Sequence, residues 1–128
     1  MDIKVDLISL SKAPTPSLMS WLQGFDARYL RVAKASNEKG PMLYVYFVRV
    51  DDAYLITSVV FDPRTKKGDE KPAGDAVDIF LEQLAQIEGV TRLFMCKSGD
   101  ECALINTFPT RITSVSKLQA PAHAVYLN

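Results

Sequence analysis

Histidine occurs once in this chain of 128 residues and cysteine twice. One imidazole, His123, and two thiols, Cys96 and Cys102, are too few for a four-ligand zinc site or a disulfide scaffold. Net charge is absent as well. Lysine plus arginine and aspartate plus glutamate number 15 each, which removes any general attraction to a phosphate backbone or an anionic membrane. No run approaches the ~20 apolar residues that span a bilayer. The opening residues, MDIKVDLISL, carry acids and alternate, unlike a signal peptide. These gaps predict a cytoplasmic protein with reduced thiols, no nucleic-acid partner and no membrane.

What the chain has is apolar substance. The hydrophobic share of 48% is ordinary for a folded protein and too high for disorder. The length suits a single α+β domain over residues 1–128. Its densest stretch, Met42 to Phe61, reads MLYVYFVRVDDAYLITSVVF. β-Branched and aromatic residues fill both halves, and Asp51-Asp52 between them fits a two-residue hairpin turn. With Val50 opposite Ala53, one face carries Met42, Tyr44, Tyr46, Val48, Leu55, Thr57, Val59 and Phe61. The other carries Leu43, Val45, Phe47, Arg49, Tyr54, Ile56, Ser58 and Val60. Neither face alternates with polar residues, so both need a cover: helices for one, and another layer, a subunit or a ligand for the second.

Along the chain, Ile3, Val5 and Leu7 alternate with Lys4 and Asp6 as a strand with one wet face. Thr15-Pro16 starts a short helix over about residues 16–23, with Trp21 sealing it to the sheet and Gly24 at its end. Residues 27–35 fit either a continuation of that helix or a strand, and the strand is preferred because it completes a meander with the hairpin. Residues 62–72, DPRTKKGDEKP, contain no apolar side chain and read as a long solvated connection. A second helix follows over about 75–88, with Val77, Phe80, Leu81, Leu84 and Ile87 as its stripe and Gly89-Val90 as a Schellman-type end. Thr91–Lys97 and Cys102–Phe108 flank the turn SGDE as a second hairpin, with weaker strands at 111–118 and 124–127. The sum is a mainly antiparallel sheet with two helices on one face. A ferredoxin-like βαββαβ core with appended C-terminal strands fits that order.

No catalytic set, metal site or cofactor motif emerges. Cys96 and Cys102 fit buried or half-buried strand positions, and thiol catalysis would need His123 to fold back onto them. Asp75, Asp78 and Glu82 share a helix face, but capping and the helix dipole account for acids in a first turn. Arg64, Lys66 and Lys67 with Gly68 precede that helix and make a weak anion site, without P-loop spacing. The expectation is therefore a non-enzymatic interaction protein, a homodimer or the partner of another protein. Its contact face would use Tyr44, Tyr46, Tyr54 and Arg49. The alternative is a small-molecule module with an apolar pocket between sheet and helices.

Overall fold

A computed structural model describes residues 2–14, 29–96 and 102–108. Within them, β3 (Gly40–Val50) and β4 (Ala53–Phe61) form the middle of one six-stranded sheet. Val50 faces Ala53 as the pattern predicts, and Asp51 adopts the left-handed φ of 54° that the turn requires. The expected register holds as far as Phe47 opposite Ile56. There Thr57 stands as an extra residue, so that Tyr46 pairs with Ser58. A bulge of one residue exchanges the faces of everything beyond it. Val59 and Phe61 thus join Leu43 and Val45, while Ser58 and Val60 join Tyr44 and Tyr46, the reverse of the even alternation.

β2 (Arg31–Asn37) lies antiparallel to β3, which settles residues 31–37 as strand, and β1 (Lys4–Ile8) pairs with β2. After β4 comes α1, Glu70–Glu88, preceded by a 3-10 turn at Lys67–Asp69. The helix thus begins five residues before the expected Asp75. Its first turn carries half-buried Glu70 and exposed Lys71, and Pro72 is tolerated there because first-turn amides have no partner within the helix. At the other end Gly89 takes a φ of 77°, and the Val90 amide returns to the Ala85 carbonyl at 2.9 Å, a Schellman closure. β5 (Arg92–Cys96) and β6 (Cys102–Thr107) follow as a hairpin.

Strand order in the sheet follows the sequence, β1 to β6, and every pair is antiparallel except β4 with β5, which α1 connects. A ferredoxin-like core would interleave its strands through two helical crossovers. A sequential sheet with one crossover replaces that expectation. α1 is the one α-helix among the described residues. The expected helix at 16–23 and the strands at 111–118 and 124–127 lie outside them.

The sheet buries both faces, each against its own cluster. Ala73, Val77, Leu81, Leu84 and Ala85 of α1 pack on Ala33, Val45, Phe47, Tyr54, Ile56 and Leu93. A fully buried side chain of this size contributes about 1.5–3 kcal/mol. On the far face Val32, Tyr46 and Val48 pack with Ala13 and Leu30, edged by Ile8, Leu10, Leu55 and Val60. The cover that the second apolar face required thus includes residues of the chain itself. No helix among the described residues is long and apolar enough to cross a membrane.

Candidate functional site

β4 and β5 run side by side for only part of their length. Their parallel register extends from Ala53–Arg92 to Ile56–Met95. Asp52 fixes that register. Its carboxylate accepts from the Thr91 hydroxyl at 2.8 Å and the Arg92 guanidinium at 2.6 Å, and its carbonyl accepts from the Thr91 amide. The Arg92 bond, followed by that of Thr91, holds the Asp52 carboxyl below its usual range. Beyond Ile56, β4 continues for five residues that have no strand partner on the β5 side among the described residues. Thr57, the bulged residue, turns its hydroxyl back to the Tyr46 carbonyl. Val59 and Phe61 remain 37% and 38% exposed. A run of open backbone amides with apolar side chains beside it can take an extended ligand by hydrogen bonding along its length.

This open edge leads directly into the 62–69 connection and the start of α1. Asp62 accepts from the backbone amide and the guanidinium of Arg64, at 2.9 and 3.0 Å, and the Asp62 amide bonds the Met42 carbonyl. The Arg64 side-chain bond is the main cause that lowers the Asp62 carboxyl below its usual range. A cavity of about 210 Å³ opens here, lined by Asn37, Lys39, Arg64, Thr65, Lys66 and Asp69 among others. Asp69 precedes α1 without a side-chain capping bond. Two glycines bracket this helix start. An added Cβ would meet nothing within 4 Å at Gly68 or at Gly74, so packing does not demand glycine at either place. Glycine inside a helix costs roughly 0.5–1 kcal/mol relative to alanine. A bare backbone beside a helix N-terminus gives an anion close access.

The residues singled out from sequence fall in different places. Arg64 and Lys66 line the cavity and Lys67 stands exposed in the 3-10 turn, so these three basic residues lie near one end of the sheet. Tyr46 and Tyr54 do not reach a surface. They are 1% and 0% exposed, with Tyr46 donating to the Pro14 carbonyl and Tyr54 to Glu88. Tyr44 is half-buried against the second cluster, and exposed Arg49 donates to the Asp51 carbonyl at 3.0 Å. A contact face made of these four is therefore corrected: Tyr46 packs into the far-side cluster, and Tyr54 packs on the α1 side against Phe47. Cys96 and Cys102 face each other across β5 and β6, whereas His123 and Lys97 lie outside the described residues. No group of three or more metal-ligating side chains converges among the described residues. What escaped the sequence pattern is the buried Arg31–Glu88 pair and the open glycines. With the helix expected only from about residue 75, Gly74 fell just before the helical pattern and gave no signal.

No protein-family model and no curated protein matches the sequence. The fold is similar to that in the crystal structure of the ribosomal-protein-S18-alanine N-acetyltransferase from Escherichia coli, with a TM-score of 0.56. The match covers 88% of this chain and 97% of that one at 13% identity. This finding overturns the expectation of a non-enzymatic interaction protein, and with it the pocket-module alternative, because the architecture is one that supports acyl transfer in the neighbour. At this identity the likeness is one of fold, and the chemistry has to be argued from the chain's own residues.

Proposed function

We propose that this chain is an acyltransferase of the N-acetyltransferase type, moving an acyl group from a phosphate-bearing thioester to an amine. The observation that carries the reading is the parting of β4 and β5 next to the start of α1, on a fold like that of an N-acetyltransferase. Ligands of sheets with helical crossovers favour the carboxyl ends of parallel strands, where helix N-termini also point. Phe61 and Cys96 are those ends.

The residues fit a donor such as acetyl coenzyme A, which supplies an activated acyl group on a long arm containing amides. The open edge of Thr57–Phe61 offers backbone donors and acceptors to such an arm, and Val59 and Phe61 give it apolar contact. Lys66, Lys67 and Lys71 surround the helix start, where Gly68 and Gly74 leave the backbone bare for phosphates. Lys71 also bonds Asp75 at 3.0 Å, an exposed pair that yields readily to a phosphate. An amine bound across from the acyl carbon loses a proton and forms the new C–N bond as the C–S bond breaks and the thiol leaves. The protein's share is to align the two and exclude water.

Calorimetric titration with acetyl coenzyme A is the first test, followed by mass spectrometry of candidate amines, including peptides with N-terminal alanine. Saturable binding and an acyl-modified product are expected. Failure to bind any acyl coenzyme A would sink the reading.

A further inference from the structure

The only two cysteines of the chain stand opposite each other as the last paired residues of the β5–β6 hairpin, with their Sγ atoms 2.7 Å apart. We propose that Cys96 and Cys102 are a reversible dithiol–disulfide couple, a modification site that a small oxidised thiol closes. Directly opposed residues of an antiparallel pair have Cα atoms about 4.5–5.5 Å apart, within the span a disulfide bridges. The backbone therefore needs no rearrangement to form the bond. Both thiols are free in this structure, Cys102 exposed and Cys96 half-buried, so an oxidant reaches one sulfur before the other. Neither belongs to the buried core, which removes packing as the reason for two thiols at one register position.

The roles follow from the surroundings. Burial, then the hydrogen bond to Cys102 and the charge of that neighbour, push the Cys96 thiol up to about 12. Exposed Cys102 is thus the attacking sulfur. Its thiolate breaks the S–S bond of the small disulfide, takes one half as a mixed disulfide and releases the other as a thiol. Cys96 then gives its proton to solvent, attacks Cys102 Sγ and expels the second half. Two electrons pass from the protein thiols to the small disulfide, and reduced thiol reverses both steps. Capture of Cys102 in the mixed disulfide removes its share of the raised Cys96 value while the larger share, from burial, stays, and the 2.7 Å approach of the two sulfurs is what directs Cys96 to complete the ring. Nothing in this chemistry depends on acyl transfer.

The test is to equilibrate the intact protein in mixtures of reduced and oxidised glutathione, alkylate the remaining thiols and weigh the chain. A form two hydrogens lighter, carrying no alkyl group, is expected to rise and fall reversibly with the ratio. The Cys96→Ser chain is expected to trap glutathione on Cys102, and the Cys102→Ser chain to trap far less. Thiols that stay alkylatable at every ratio, or a wild-type chain that ends as a glutathione adduct or a disulfide-linked dimer, would overturn the proposal. So would equal trapping by the two variants.

Discussion

Arg31 and Glu88 meet end to end inside the protein, Nη1 to Oε2 at 2.9 Å and Nη2 to Oε1 at 3.0 Å, with side chains 4% and 0% exposed. The pair ties β2 to the last residue of α1, and the Tyr54 hydroxyl of β4 donates to the same carboxylate. Phe47 and Tyr54 flank the guanidinium, their ring centroids 4.9 and 5.5 Å from its carbon. Burial alone would lower the Arg31 pKa, but Glu88 and Tyr54 together more than offset it and the value is raised. A buried pair of this kind adds little over an apolar substitute, yet its loss on one side strands a charge. Arg31→Met is expected to cost about 3–5 kcal/mol, and Arg31→Met with Glu88→Leu to recover much of that. Urea unfolding followed by circular dichroism measures both. Equal losses in the single and double variants would show that packing, and not the stranded charge, dominates.

Acid is expected to loosen the join between the β3–β4 turn and β5. Asp52 is held below its usual range by Arg92 and then Thr91. A depressed carboxyl contributes stability that is present above its unfolded pKa, about 3.9, and is lost as pH falls through the folded value. The window therefore lies below about pH 4. The Asp52→Asn chain lacks that titration, so its gap from wild type should narrow as pH falls through this window. A gap that stays constant would remove Asp52 from the acid response.

Tyr46 separates a surface role from a core role. Its ring is 1% exposed and its hydroxyl donates to the Pro14 carbonyl. Tyr46→Lys is expected to unfold much of the population, at a cost of about 3–5 kcal/mol, as for other large buried aromatics removed. The same change at half-buried Tyr44 should cost less. A folded Tyr46→Lys chain that merely changes its subunit count by light scattering would return this tyrosine to an interface.

Periodicity made the central hairpin, its Asp51–Asp52 turn, the α1 stripe and the Gly89–Val90 closure readable before any coordinates, because each depends on local chemistry. The parallel β4–β5 pair was not readable. Both strands are apolar on both faces, and such runs do not disclose which neighbour they take or in which direction. The Thr57 bulge was equally hidden, since threonine fits a regular strand as well as a bulged one. Nothing in the helical pattern sets Glu88 apart from the other acids of α1. Only the fold brings Arg31, 57 residues away, against it. The basic stretch behind the proposed donor site was half visible, as the charged 62–72 segment before a helix, but the acyl-donor role proposed for it needed the open β4 edge beside it.

Gly74 offers the sharpest division between stability and function. It sits in the second turn of α1, and a methyl group there would touch nothing within 4 Å. Replacing a helical glycine by alanine in open space stabilises by about 0.5–1 kcal/mol, so Gly74→Ala is expected to raise the urea midpoint. If phosphates of the donor approach this backbone, the same methyl group occupies their path, and acetyl coenzyme A should bind more weakly to the more stable protein. Lys66→Glu with Lys67→Glu supplies the control, lowering affinity through charge and making it less sensitive to salt. A Gly74→Ala chain that is stabilised and binds donor as tightly as wild type would move the phosphates away from the helix start, while leaving the β4 edge open to the rest of the ligand.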